Sequence, residues 1–286
     1  MTQAMMKFKR VTIVGLGCIG GSLGMALRRH RLAREVVGLS RRAATVRRAR
    51  QRGAIDWGTT DAARAVHGAD VVVLATPVGT IVPYAKRLSR LMKPGAILTD
   101  VGSTKAAIVS TLEPWCARRR VAFVGAHPLA GSDQRGIEAA QRDLFAGSIC
   151  VLTPTPRTNR HALARVQRVW RPLVGRVVVL SPSVHDRRLA LVSHLPHVVA
   201  FSLVASAEAE ARAIAPRSFL DATRVAKSDP ALWRDILLTN RASVRRAIQA
   251  LQRRLTAFDR QLARQDAAAL TQLLRHAQRL RHSLDS

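Results

Sequence analysis

Acidic residues are scarce in this chain: among its 286 residues there are 18 Asp and Glu against 47 Lys and Arg, a formal net charge of +29. Such an excess ordinarily points to an anionic partner. Aromatic residues are equally few, 6 Phe, 4 Trp and 1 Tyr, which removes the stacking platforms that bind single-stranded nucleic acid. No zinc-finger or RNA-binding signature accompanies the charge, and arginine is spread through nearly every helical segment. The excess reads as compositional bias, excluding specific nucleic-acid recognition and leaving non-specific adhesion to polyanions at low salt. The three cysteines, Cys18, Cys116 and Cys150, have neither a disulfide pattern nor metal-ligand spacing. No apolar run approaches the roughly 20 residues of a membrane span. The basic Met1–Lys9 segment lacks a following signal-peptide core. These absences predict a cytoplasmic protein with no membrane partner.

What is present is a hydrophobic content of 48%, enough for one large core or two ordinary ones. The chain is organised around Arg10–Ala26. Val11–Val14 reads as a buried strand, and it breaks into Gly15-Leu-Gly17-Cys18-Ile19-Gly20, with helical periodicity from Cys18 to about Arg29. Strand, glycine turn and helix together form the context of a dinucleotide site. Gly15 permits the turn, Gly17 lets the backbone approach a pyrophosphate, and Gly20 lets the helix pack closely on the sheet.

Further strands are expected at Glu35–Leu39, Ala69–Ala75, Ala96–Asp100, Val121–Val124, Ser148–Thr153 and Arg176–Leu180, with a short strand or turn at Gly53–Asp56. Helices are expected at Arg42–Gln51, Thr60–His67, Thr80–Leu91 and Asn159–Arg171, and a loop with a short helix at Asp133–Leu144. Alternating strands and helices predict an α/β fold, a doubly wound Rossmann-type sheet. The chain turns beneath a cofactor at Thr76-Pro77. No acidic residue follows the second strand to accept the ribose hydroxyls of NAD; Ser40, Arg41 and Arg42 stand there instead. That pattern favours a 2′-phosphate, hence NADP over NAD, although the two arginines also suit a merely basic surface.

From Ser183 onward only helices are expected, the first at Asp186–Glu210, opened or kinked by Pro196. Others should follow at Phe219–Ala226, Pro230–Thr239, Arg241–Asp259 and Asp266–Leu284. The division falls near residue 181, giving a nucleotide-binding domain over 1–181 and an all-helical domain over 182–286. Apolar stripes from Ile248 to Leu280 suit either a homodimer surface or internal packing.

His127 follows a strand in what reads as irregular structure, and an imidazole there suits neutral-pH base catalysis. Ser103 stands after the neighbouring strand, where it can bond a reacting hydroxyl or align His127. His194 and His197, three apart on one helical face, can point together into the crevice. No third ligand completes a metal site. Arg224 is a candidate carboxylate anchor, though an arginine-rich chain offers many.

With these residues in view, the chain resembles the prephenate/arogenate dehydrogenases, the TyrA group of tyrosine biosynthesis. The resemblance spans Val11 to about Leu284 and rests on five motifs in order. These are GLGCIGGS (Gly15–Ser22), DVGSTK (Asp100–Lys105), HPLAGS (His127–Ser132), SHLPH (Ser193–His197) and TRVAKSDPALWRDI (Thr223–Ile236). It implies a dinucleotide-binding domain followed by a helical dimerisation domain, with a homodimer formed through the C-terminal helices. It also implies oxidative decarboxylation of prephenate or arogenate. His127 becomes the catalytic base and Ser103 its partner. His197 and Arg224 become substrate-binding groups, with His194 nearby and Trp233 shaping the site. Another NAD(P)-dependent dehydrogenase or reductase, or a non-catalytic nucleotide- or polyanion-binding protein, are the competing readings.

Overall fold

Eight strands form one sheet in the order β3-β2-β1-β4-β5-β6-β7-β8, seen in a computed structural model that describes residues 8–131 and 134–284. Most of the basic Met1–Lys9 segment, Ser132 of HPLAGS and Asp133 at the start of the expected loop lie outside the described residues. In chain order the first elements are β1 (Phe8–Val14), α1 (Cys18–Arg29), β2 (Ala33–Leu39), α2 (Ala43–Gln51), β3 (Trp57–Thr59) and α3 (Ala62–Val66). They are followed by β4 (Val71–Leu74), α4 (Val78–Leu88), β5 (Ile97–Asp100), α5 (Ala106–Ala117), β6 (Ala122–Pro128), β7 (Ile149–Thr153), α6 (Arg160–Trp170) and β8 (Arg176–Val179).

Strand β4 explains why the sequence shows unbroken apolar runs. Side chains alternate across a strand, and both faces of this sheet are covered. Val71 and Val73 enter the layer containing Leu23, Leu27, Ala49, Val166 and Trp170, under α1, α2 and α6. Val72 and Leu74 enter the opposite layer, with Ala65, Ile81, Leu88 and Leu112 from α3, α4 and α5. Strands β1 to β6 run parallel, whereas β7 pairs antiparallel with β6.

That antiparallel partner moves one expected boundary. Strand β6 continues to Pro128 because His127 pairs with Val151 and Pro128 with Cys150. His127 therefore sits on a strand and not in irregular structure. The third strand lies at Trp57–Thr59, after the expected Gly53–Asp56; Gly53 takes a φ of +72° and makes the turn that precedes it.

The helical part begins with α7 (Pro182–Leu189), whose first turn is capped by Ser181. A π-helical turn, Ala190–His194, joins it directly to α8 (Leu195–Ser206). Pro196 has no N–H to give the preceding turn, and the ladder opens there as expected. Then come α9 (Ala209–Ala213), α10 (Arg217–Thr223), a 3₁₀ turn at Arg224–Lys227, α11 (Pro230–Thr239), α12 (Arg241–Ala263) and α13 (Ala267–His282). Trp233 and Ile236 of α11 enter the sheet's second apolar layer, which docks the helices onto the sheet.

No uninterrupted apolar run reaches the length of a membrane span, but one helix interrupted by polar residues does by length and average composition. The continuous helical stretch Pro182–Ser206 is long and apolar enough, by length and composition, to cross a membrane, and only 22% of its most apolar window is buried. The sequence pattern hid this because His, Ser and Pro interrupt the apolar residues. Leu191, Val192, Val199 and Leu203 are its exposed apolar side chains.

Candidate active site

The glycine turn is built as its spacing requires. Gly15 has a φ of +94°, and a Cβ there would lie 2.5 Å from the Ala75 carbonyl oxygen. A Cβ on Gly20 would stand 1.9 Å from the Gly15 carbonyl oxygen, so α1 can approach the turn only without a side chain. Among the described residues, a Cβ on Gly17 would meet nothing within 4 Å. The first turn of α1 has no side-chain cap and no acidic residue, leaving a helix N-terminus open to a phosphate. This cradle fits a dinucleotide. Thr76 packs against Gly15, and Pro77 precedes α4 as its cap position, so the β1 and β4 turns meet. Ile19 packs into the core. Cys18 places its Sγ 3.3 Å from the Ala139 carbonyl oxygen, and burial raises its thiol pKa.

At the end of β2, Ser40 is half-buried and Arg41 and Arg42 are exposed. The Ser40 hydroxyl accepts weakly from the Arg42 N–H at 3.4 Å. The nearest upstream acid, Glu35, is already engaged. It pairs with Arg10 and accepts the Trp57 indole N–H at 2.6 Å.

His127 has a partner that the motifs do not announce. His127 Nδ1 lies 2.9 Å from His185 Nε2, and His185 Nδ1 lies 2.8 Å from Asp186 Oδ1. The Asp186 carboxylate accepts the Lys105 and Ala106 N–H groups at 2.7 and 2.9 Å, tying α7 to the start of α5. Ser103 is half-buried in the loop between β5 and α5 and makes no bond to His127. Beneath this loop Lys105 and Asp100, both wholly buried, form an ion pair.

His194 and His197 do converge, around one indole. His197 stacks on Trp233 with centroids 3.5 Å apart, and His194 meets the same ring edge-on at 6.0 Å. His197 Nδ1 donates to the Ser193 carbonyl at 3.0 Å. Arg224 is exposed and close enough for its charge to help lower the His197 pKa, which burial lowers chiefly. Arg135, in the loop after β6, pairs with Asp229, the cap of α11.

His185, Asp186 and Asn240, whose amide bonds both Asp186 and His194, were not legible as site residues. A His-Asp dipeptide in a helix has no spacing signal. The only clue was a polar pair placed before Leu189 on what becomes a buried helix face.

Burial lowers the pKa of His127 well below its usual value, helped by the charges of His185, Lys105 and His194. It lowers that of His185 despite the opposing Asp186, and that of His194 to about 4. These depressions have a stability consequence. An unfolded imidazole takes its proton near pH 6.5, whereas folded His194 takes it only near pH 4. Its contribution is complete above pH 6.5, is lost as pH falls, and changes no further below about pH 4. Urea midpoints measured across that window should fall more steeply for wild type than for His194→Gln. Parallel curves would contradict this.

Comparison with known proteins places this geometry. Residues 23–179 match the family model of the prephenate dehydrogenase nucleotide-binding domain, and residues 181–276 match that of its dimerization domain. The cyclohexadienyl dehydrogenase of Zymomonas mobilis is 34% identical over 97% of this chain and 96% of its own length. The crystal structure of Aquifex aeolicus prephenate dehydrogenase with hydroxyphenyl propionate and NAD+ is 35% identical. It superposes with a TM-score of 0.91, covering 99% of this chain and 100% of that one. Synechocystis arogenate dehydrogenase superposes at 0.83 with 30% identity, covering 96% and 99%.

Proposed function

This chain belongs to the prephenate dehydrogenase family of pyridine-nucleotide dehydrogenases, and we infer from that premise how its own residues carry out oxidative decarboxylation of prephenate or arogenate. The observation that carries the reading is His127 at the C-terminal end of β6, on the sheet edge that also bears the glycine turn, with a buried carboxylate–imidazole pair behind it.

Gly15, Gly17, Gly20 and the first turn of α1 hold the dinucleotide, with Thr76 and Pro77 lining the turn beside it. When bound, its nicotinamide accepts a hydride from the ring carbon bearing the substrate hydroxyl. His127 takes the hydroxyl proton as that carbon becomes a carbonyl. The electron pair of the bond to the ring carboxylate then flows into the ring, carbon dioxide leaves, and the carbonyl oxygen recovers a proton from His127 as a phenol. Ser103 contributes a hydroxyl beside the reacting oxygen. Arg224 and His197 bind substrate carboxylate, and Trp233 holds the His197 ring flat. His194 lines the same pocket.

We further assign NADP as the preferred cofactor, supported by Ser40, Arg41 and Arg42 where an acid would otherwise accept the ribose hydroxyls. The division between the two domains is placed near residue 181. A second copy of the chain covers the exposed apolar residues of the C-terminal helices, and the protein works in the cytoplasm. The test supplies prephenate and arogenate separately, each with NAD and with NADP, and follows nicotinamide reduction. No reduction in any of the four mixtures overturns the reaction. Arg41→Ala should weaken the KM for NADP by about 10-fold or more, the worth of a charge-assisted bond, and leave NAD unaffected. A wild-type preference for NAD would overturn the cofactor assignment.

A further inference from the structure

Two residues that need not touch substrate control the hydrogens on the active-site imidazoles. The first is Asp186. Its carboxylate accepts two backbone N–H groups, from Lys105 at 2.7 Å and Ala106 at 2.9 Å, and amides can only donate. Held as an acceptor, Oδ1 at 2.8 Å requires a hydrogen on His185 Nδ1. A neutral His185 then has a bare Nε2. That atom lies 2.9 Å from His127 Nδ1, which must carry the hydrogen between them. The lone pair of His127 is left on Nε2.

The second is Asn240. Its Nδ2 lies 2.7 Å from the Asp186 carbonyl oxygen. A carbonyl only accepts, so this contact fixes which end of the amide is the nitrogen. The same Nδ2 lies 3.2 Å from His194 Nδ1, which therefore accepts. A neutral His194 carries its hydrogen on Nε2. Among the described residues, that Nε2 is buried without a hydrogen-bond partner, and His194 as a whole is only 1% exposed. A buried donor left without an acceptor calls for an explanation, and an incoming ligand oxygen supplies one.

We propose that Asp186, acting through His185, and Asn240 set opposite tautomers on two histidines, so that the crevice presents one base, His127 Nε2, and one neutral donor, His194 Nε2–H, which bonds a substrate oxygen. Asp186, His185 and Asn240 are positioning residues; His194 touches the substrate. The assignment of His194 to substrate rests on the reaction proposed above, whereas the tautomers do not. Other groups close to the pair are Lys105 beside His127, Cys150 at the His127 backbone, and His197 and Trp233 beside His194. Among the described residues, none of these bonds the free nitrogen of either ring.

The tautomers can be read directly by long-range ¹H–¹⁵N correlation on the ligand-free full chain, labelled at histidine, at neutral pH. Nδ1–H is expected for His127 and His185, and Nε2–H for His194; Nε2–H on His127 or Nδ1–H on His194 overturns the proposal. Three variants test its consequences. His185→Leu removes the acceptor for His127 Nδ1–H, and kcat should fall about 100-fold or more, as when a catalytic histidine is left in the wrong tautomer. The side-chain carbonyl introduced by His185→Gln can accept the same hydrogen, and this variant should keep kcat at least about 10-fold above His185→Leu. Equal kcat in the two variants counts against the relay. Asn240→Asp replaces a donor by an acceptor. It should turn His194 to Nδ1–H and raise the substrate KM, with cofactor KM unchanged; a folded variant that keeps Nε2–H overturns the Asn240 assignment. If the tautomers are as expected but neither prephenate nor arogenate is oxidised, the reaction reading fails and the tautomer assignments stand.

Discussion

His127→Asn folds, binds dinucleotide and loses about 10²- to 10⁴-fold in kcat, the usual worth of a positioned general base. The expected retention of structure follows from the contacts. His127 is held by β-sheet pairing to Val151, which any residue makes, and an Asn amide can still donate to His185 Nε2 in place of the imidazole Nδ1–H. What it lacks is a basic nitrogen. The pH profile of the wild type carries the same information. Burial, with the charges of His185, Lys105 and His194, holds the His127 pKa well below 6.5. The base form therefore persists through neutral pH, and kcat/KM should be level there, falling only as pH drops through the lowered value. Steady-state kinetics with both substrates, together with cofactor titration and an unfolding midpoint, check the prediction. Near-wild-type kcat on either substrate would remove His127 from its role.

Where side-chain period and backbone chemistry agree, the fold was legible in the sequence. The β4 run is apolar throughout because both faces are buried, and the spacing of Gly15, Gly17 and Gly20 states the approach distances that the turn requires. Pro196 announced an opening in its helix, which takes the form of a π-helical turn at Ala190–His194. Helix α5 was not expected; like α4 it carries a proline inside, here Pro114, so an internal proline did not by itself separate the two. The site divides in the same way. His127, His194 and His197 stand out as titratable groups in short motifs. The hydrogen-bond partners that set their chemistry do not, since Asp186 and Asn240 lie 54 positions apart and meet only because α7 and α12 pack together. Ser103 shows the converse. Its motif places it beside the crevice, but the partner of His127 is His185. Long-range polar contacts carry no period, and a single sequence cannot display them.

Lys105→Met should cost about 3–5 kcal/mol of stability, the usual price of stranding one member of a buried ion pair. Lys105 and Asp100 are both wholly inaccessible. The lysine stem runs past Gly125, where a Cβ would lie 3.4 Å from Lys105 Cδ, so methionine fills the same channel without the charge. Asp100 would keep its bonds from the Gly102 N–H at 2.9 Å and the Ala126 N–H at 3.4 Å, but two amides do not neutralise a carboxylate. The double variant Lys105→Met/Asp100→Asn removes both charges while leaving an acceptor for a backbone N–H. It should therefore be more stable than Lys105→Met alone, and denaturant unfolding of wild type, both single variants and the double gives the coupling. Additive losses would mean that the pair is not coupled. The same substitution reaches the chemistry. The Lys105 ammonium is one of the charges holding the His127 pKa down, so its removal lets that pKa rise and moves the acid limb of kcat/KM to higher pH. The Lys105 N–H bond to Asp186 is a backbone contact and survives the change. An acid limb that stays in place while stability falls would show that the buried pair supports the sheet end and has no electrostatic hold on the base.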